Sequence, residues 1–437
     1  MLTIIGLLII IIIVALLMTG KTSPIIAMSV TPLIGALLAG YSISEISDFV
    51  NYGFQKVGNV AAMFMFAILF FSIMKELHIF NPFIRLMIGI TRGNVVVVAM
   101  VTALVAAVVH LDGSGAATFL IIIPAFLPLY RKLGMSPYLM LLIMCISMGV
   151  MNMVPWGGPL GRASAVTGIP AADLWQPLIP VQIIGVAASV LVAGLFGLRE
   201  KKRIARAQLQ GTTPYEQDSM LKQFDEIETD TGSEKPQKFF INLLLVLVVI
   251  VCLALGLLSA PYIFMLALSA ALMINYPKIK DQMQVINHHA PQALTMAAII
   301  ISAGVFLGVL GKGGMLESIA KDLLLIIPAS FVHYFHIAIG LIGVPLDIFT
   351  STDAYYFALL PIVQDVMATV GVPAQDVVYA MAIGNNAGTF VSPFSPAVWL
   401  AVGITGVDMG RHIRYSFMWI WLFSFITLGA GWALGLF

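Results

Sequence analysis

The chain has 437 residues, of which 60% are hydrophobic and only 10% are Asp, Glu, Lys or Arg, with a net charge of +1. Soluble domains hold about 25% charged residues, so a mean hydropathy of +1.01 means that most of this surface faces lipid. A cytosolic enzyme, a secreted disulfide scaffold, a disordered chain and a nucleic-acid binder are excluded. Cys145 and Cys252 lie inside apolar runs and suggest neither a disulfide nor a metal framework.

Met1 to Leu17 is apolar, has no basic residue ahead of it and meets its first positive charge at Lys21. It reads as a first membrane helix rather than a cleavable leader. Apolar runs of this length are not the alternating segments of about ten residues that a β-barrel needs. Crossings are expected near 2–19, 24–40 and 57–75, with amphipathic stretches at Ser42–Lys56 and Glu76–Arg92. An apolar run, the break Leu111-Asp112-Gly113-Ser114-Gly115 and a second run form a hairpin over about 94–132. Arg92 precedes it and Arg131 and Lys132 follow it, which fits a re-entrant hairpin with its tip at membrane depth as well as it fits two full crossings. A broken helix comes next, over about 136–168, interrupted at Pro155-Trp156-Gly157-Gly158-Pro159, and a last crossing spans 177–198.

These elements make a first unit, 1–198. Residues 199–238 are rich in charge, Gln and Thr and poor in large apolar groups, the composition of a hydrophilic linker. Residues 239–437 form a second unit with a hairpin at about 331–371 and a broken helix at about 376–406. The units echo each other: Pro24 and Pro261, Pro124 and Pro361, Gly134 and Gly371, and Pro159 and Pro396 all lie 237 residues apart, and Thr167-Gly168 and Thr405-Gly406 lie 238 apart.

Each unit thus holds five crossings, one of them broken, plus a re-entrant hairpin. Five is odd, so the second unit must run with opposite orientation. The expected fold is an all-α polytopic membrane protein of two inverted-topology repeats. With both termini extracytoplasmic, cytoplasmic loops hold Lys21, Lys75, Arg85, Arg92, Arg131, Lys132, Lys278, Lys280, Arg411 and Arg414, and the linker holds eight more basic residues. Only Lys56, Arg162, Lys312 and Lys321 remain elsewhere, a positive-inside distribution.

Irregular backbone at membrane depth is tolerated only where it is buried in protein or lines water. The breaks at 111–115, 152–162, 350–354 and 384–396 therefore mark a site. Each frees helix N-terminal N–H groups for an anion and carbonyls for a cation. Packing kinks would be a plainer use, but four matched breaks with polar side chains favour a substrate site. Its expected members are Asp112, Gly113, Ser114 and Gly115 at the first tip, with Asn152, Trp156, Gly157, Gly158 and Arg162 in the first broken helix. The second unit contributes Ser351, Thr352 and Asp353 at its tip and Asn385, Asn386, Ser392 and Ser395 in its broken helix.

An unpaired guanidinium inside a membrane is costly. Arg162 therefore clamps a substrate carboxylate through its planar fork, pairs with Asp112, or snorkels to the interface. Asp112 and Asp353 are either helix N-caps or cation or proton sites, with Asp347 a further acid nearby. His110 either shuttles protons beside the first tip or is a hydrogen-bonded core residue, and His288, His289, His333 and His336 read as interface anchors. No Ser/His/Asp set or His-Glu-x-x-His motif points to an enzyme.

Four segments, LDGSGAATFLIIIPAFLPLYRKLGM (111–135), GVMNMVPWGGPLGRA (149–163), STDAYYFALLPI (351–362) and VSPFSPAVWLAVGI (391–404), resemble the citrate–metal–proton symporters, the CitMHS family of the ion-transporter superfamily. The resemblance covers nearly the whole chain. It implies a homodimer in the cell membrane, in which a transport domain moves as an elevator against a scaffold. It also implies proton-driven uptake of citrate complexed with a divalent metal, with no tightly bound cofactor. Asp112 and Asp353 would face the substrate-borne metal, and Asp112, His110 and Asp353 would serve proton coupling. Ser114 stands where the family usually has a second acid, and Ser351-Thr352-Asp353 is closer to the tips of sodium-coupled dicarboxylate carriers. A sodium- or proton-coupled symporter of a free di- or tricarboxylate is the alternative.

The topology is testable by labelling. In a background lacking Cys145 and Cys252, Gly211→Cys and Lys312→Cys should react with an impermeant thiol reagent from opposite faces of the membrane. Equal labelling of both from outside would contradict the inverted repeats.

Overall fold

The computed structural model describes residues 1–19, 22–209, 238–325 and 328–437, and among these every regular element is helical. α1 (Leu2–Thr19) and α2 (Pro24–Leu38) lead into α3 (Ile43–Glu76), a 34-residue helix. At 1.5 Å per residue α3 is about 50 Å long, well beyond a hydrocarbon core of about 30 Å. A capping box starts it: Ser42 N–H donates to Glu45 Oε2 at 2.8 Å and Glu45 N–H to Ser42 Oγ at 3.3 Å. The amphipathic stretch Ser42–Lys56 is thus the beginning of this crossing and not a separate interfacial segment. Lys56 marks a polar face, but without a proline or a cap there the helical backbone runs on.

α4 (Asn81–Thr91), α5 (Val95–Val109), α6 (Gly115–Lys132), α7 (Pro137–Met151), α8 (Gly158–Thr167), α9 (Ala171–Trp175) and α10 (Ile179–Leu209) complete the first unit. α10 carries past Leu198 to Leu209, through the first part of the hydrophilic segment, because Arg, Glu, Lys, Ala and Gln are all good helix formers. The rest of that segment, 210–237, lies outside the described residues, as does Lys21.

The second unit runs α11 (Phe239–Ala254), α12 (Ala260–Asn275), α13 (Ile279–Leu307), α14 (Met315–Leu324), α15 (Ala329–Val332), α16 (Phe335–Leu341), α17 (Gly343–Phe349), α18 (Leu360–Thr369), α19 (Ala374–Asn385), α20 (Pro396–Thr405) and α21 (Met409–Ala433). The first arm of its hairpin is split among α15, α16 and α17 rather than drawn as one rod. Residues spaced by about 237 do the same backbone work in both units. Pro24 and Pro261, and Pro159 and Pro396, sit in the first turn of a helix, where the missing N–H costs nothing. Gly168 and Gly406 end α8 and α20 in the left-handed conformation, at φ 74° and 70°.

Six of the described helices are long and apolar enough to cross a membrane. Their packing centres on α3 and α13, whose backbones nearly touch. A Cβ on Gly53 would lie 1.9 Å from Gly304 O, and one on Gly308 would lie 2.0 Å from Phe49 O. At the other end of the pair, His289 of α13 meets Glu76 of α3 at 2.6 Å. The two helices are therefore antiparallel and locked by small residues, which is how helices associate closely where lipid offers no hydrophobic drive.

Gly308→Ala should accordingly destabilise the protein, by at least the 1–3 kcal/mol (roughly) of an overpacked core. Gly58→Ala is the control on α3, since its Cβ would meet nothing within 4 Å and alanine favours the helix by about 1 kcal/mol. Thermal unfolding of the detergent-solubilised variants should lower the midpoint for the first and not for the second.

Candidate functional site

The first tip is built from α5, a single 3-10 turn (His110–Asp112), Gly113 and the start of α6. Gly113 has φ +70°, and a Cβ there would also lie 3.1 Å from Trp156 Cδ1, so both conformation and space demand glycine. Asp112 Oδ1 accepts the Ser114 N–H at 2.9 Å, and Ser114 Oγ caps α6 by accepting the Ala117 N–H at 3.3 Å. The broken helix is tied to this tip by Trp156, whose indole N–H donates to Leu111 O at 2.7 Å while its ring stacks on Phe71 at 5.2 Å.

At the second tip the chain leaves α17 through extended Thr350 and re-enters a helix by a π-helical turn, Ala354–Leu359. Here too a serine caps: Ser351 Oγ accepts the Ala354 N–H at 3.2 Å. Thr352 Oγ1 donates to Thr389 Oγ1 at 2.9 Å, linking this tip to the second broken helix. Because serines cap both returning helices, Asp353 is released from that duty.

Asp353 pairs instead with Arg162. Arg162 Nε donates to Asp353 Oδ1 at 2.7 Å, with the two side chains only 10% and 15% exposed. The guanidinium lies over the Phe357 ring at 5.9 Å. Gly158 makes room for it, since a Cβ there would come within 2.7 Å of Arg162 Nη1. The partner is therefore Asp353 of the other unit and not Asp112 of its own.

These parts surround a cavity of about 1460 Å³. Asp112, Gly113, Ser114, Gly115, Asn152, Trp156, Gly158, Arg162, Ser351, Thr352, Asp353, Ser392 and Ser395 all line it. The facing wall comes from α3 and α13, with Phe64, Phe71, Val285 and Met296 among its apolar residues. Four expected residues are not on the wall. Gly157 is pressed against its own turn, where a Cβ would meet Asn152 O at 2.3 Å. Asn385 and Asn386 are buried among helices, donating to Gly343 O at 3.0 Å and Thr427 Oγ1 at 3.5 Å. His110 is fully buried, with Nδ1 2.9 Å from Thr118 Oγ1.

Other lining residues were not among the expected site members. Thr389 belongs to the second broken helix, and Lys75 and Glu76 end α3. Asp281, Gln284, His288 and Gln292 form a polar stripe on α13, with His289 beside it. Their spacing of three and four residues is a helical face, the periodicity signal that marks them in the sequence. His288 and His289 thus line the cavity, and His289 is bonded to Glu76 there. Asp112, Asp353, Glu76 and Asp281 put four acidic side chains on the wall, against the two basic side chains Arg162 and Lys75.

The sequence model of the CitMHS family, described as citrate transporter, matches residues 1–384. The chain belongs to this family. It is a multi-pass membrane transporter and not an enzyme. Among its relatives in Bacillus subtilis (strain 168), an uncharacterized transporter, YraO, is 33% identical over 98% of this chain and 97% of its own length. A citrate transporter is 31% identical, and a Mg(2+)/citrate complex secondary transporter 32% identical, each over 96% of this chain and 95% of its own. In three dimensions the chain is similar to the Alcanivorax borkumensis YdaH transporter, whose crystal structure has an unusual topology. The TM-score is 0.51 at 14% identity, over 90% of this chain and 88% of that one.

The ion pair sets up a double-mutant cycle. Arg162→Ala or Asp353→Asn alone strands the other group at the edge of a membrane-embedded site, which costs about 3 kcal/mol for a buried pair. Removing both should cost less than the sum of the single losses by roughly 1–3 kcal/mol. Strictly additive unfolding midpoints for the three transporter variants would mean that the pair is not coupled.

Proposed function

We propose that the protein is a secondary transporter of the cell membrane that takes up citrate as a complex with a divalent metal ion, coupled to protons. The observation that carries this reading is the charge on the cavity wall. Citrate bears about three negative charges at neutral pH, and stripping water from such an ion is expensive in a low-dielectric site. A wall with four acidic and two basic side chains repels a free trianion. Chelation of a divalent ion lowers the net charge to about −1 and lets the metal travel inside the ligand's own oxygens. Arg162 keeps two Nη groups beyond the Nε that holds Asp353, enough for a bidentate grip on one carboxylate. Asp112 and Asp353 suit the metal side of the complex. The family assignment and the two relatives named for citrate and for Mg(2+)/citrate support the same substrate class.

The movement that fits this architecture is an elevator between inverted repeats. The antiparallel α3 and α13 and the shared turn residues of the two units support the repeat. α3 and α13 form one wall, while the tips and broken helices of both units form the other. On this reading the tips and broken helices travel and α3 and α13 stand still, in a homodimer. The mouth opens beside Lys75 and the start of α13, near Lys278 and Lys280, the basic and hence cytoplasmic side.

Proteoliposome uptake of radiolabelled citrate at fixed free citrate tests the substrate. Adding Mg²⁺ should raise uptake, EDTA should abolish it, and an inward proton gradient should drive it. Uptake that is unchanged or stronger under EDTA, and that rises with sodium, would replace the metal complex by a free carboxylate carried with sodium.

A further inference from the structure

Asp347, on α17 six positions before Asp353, stands apart from the cavity wall. It is 0% exposed, and neither of its carboxylate oxygens has a hydrogen-bond partner. The packing around it is tight: a Cβ on Gly388 would lie 2.7 Å from Asp347 Oδ2 and 3.2 Å from Asn385 Nδ2. Carboxylate, glycine backbone and amide thus converge on one spot. The Asn385 amide is oriented by its bond to Gly343 O at 3.0 Å, on the first turn of the same α17, and its own Oδ1 is also buried and unpartnered. Three buried, unpartnered oxygen acceptors thus gather beside one amide donor, Asn385 Nδ2, which is already bonded to Gly343 O.

Arg162 is the described cation whose charge reaches Asp347, and its Nε is held by Asp353 at 2.7 Å. α16, α19, α21 and the turn Gly388–Phe390 pack against α17. α16 brings His336, buried with Nδ1 unpartnered, and α19 brings only Asp376 and Tyr379, both in its first half. α21 carries Arg411, His412, Arg414 and Tyr415 in its first two turns, yet it reaches the Asn385–Asn386 region at Thr427, about 20 Å farther along the helix. On the arm beyond the tip, Tyr355 donates to Met381 O at 3.3 Å, Tyr356 Oη is buried and unpartnered, and Asp353 is taken by Arg162. A bare carboxylate so placed would cost several kcal/mol (roughly), whereas a neutral acid would not.

We propose that Asp347 carries the coupling proton, held as an O–H in the buried pocket that α17 shares with Asn385 and Gly388. On the outward side a hydronium O–H breaks as the Asp347 O–H forms, and on the inward side that O–H breaks as water takes the proton to become hydronium. The link to substrate is short. Gly388, in contact with Asp347, is followed by Thr389, which lines the cavity and accepts from Thr352 beside Asp353. Substrate that engages Arg162 and Asp353 therefore pulls on the same tip that α17 leads into. This inference rests on the proton-coupled reading above and assigns that coupling to a residue outside the substrate cavity.

The test compares driven uptake with counterflow in proteoliposomes. One coupled proton lets a gradient of about one pH unit sustain about a tenfold accumulation of Mg²⁺–citrate. Asp347→Asn should lose that accumulation while counterflow, which needs no net proton movement, stays near the wild-type rate. Asp347→Glu should retain both. On the wild-type protein, dicyclohexylcarbodiimide, which attacks protonated carboxyl groups, should modify Asp347 and stop driven uptake, as read by peptide mass spectrometry. Asp347→Asn that still accumulates substrate on a pH gradient, or wild-type protein inactivated without modification at Asp347, would overturn the assignment alone. Wild-type uptake that ignores the pH gradient and follows sodium would overturn the proton-coupled reading itself.

Discussion

A lipid bilayer offers no hydrogen bonds to a polypeptide backbone, so every interruption of a membrane helix must find its partners inside the protein or in water. The rest of this molecule follows from how four interruptions meet that constraint. Two hairpin tips and two broken helices, drawn from both halves of the chain, are gathered around one cavity. Their loose backbone groups are met locally: Ser114 and Ser351 cap the returning helices, and Trp156 donates to the carbonyl of Leu111. The acids and the arginine are not spent on these caps and stand on the cavity wall.

The capping by serine has a consequence for charge. An aspartate at a helix start ordinarily spends its carboxylate on backbone N–H groups. Here Asp353 sits two residues after the cap and reaches across to Arg162 of the other unit. A guanidinium and a carboxylate, each costly alone at this depth, hold each other and join the two halves at the cavity. The pair is also small enough in net charge to leave the balance of the wall to Asp112, Glu76, Asp281 and Lys75, and that balance is acidic.

Against this wall α3 and α13 present long rigid surfaces. Gly53, Gly304 and Gly308 bring their backbones to contact distance, and the polar stripe of α13 lines the cavity. The tips, by contrast, are built on short turns and a π-helical segment. Asp347 lies on the helix that leads into a tip, fully buried and packed against Gly388.

Composition alone determined that the chain lives in lipid, and hydropathy with Pro and Gly spacing located most helix starts of the first unit and all four breaks. Those signals are local: a proline in the first turn or a left-handed glycine acts within a few residues of itself. Thirteen of the expected site residues, Asp112, Arg162 and Asp353 among them, line the cavity for that reason. Only the tertiary structure decided partners. Nothing local distinguishes Asp112 from Asp353 as the mate of Arg162, tells that Asn385 faces α17 rather than the cavity, or joins Ser42–Lys56 to the crossing that follows it. Nor could breaks in the chain point to Lys75, Glu76 and the stripe on α13, which sit on unbroken helices and reach the site only because α3 and α13 are packed against it. A charge's energy depends on what lies within a few ångströms of it in space, and in this fold those neighbours come from the other half of the chain.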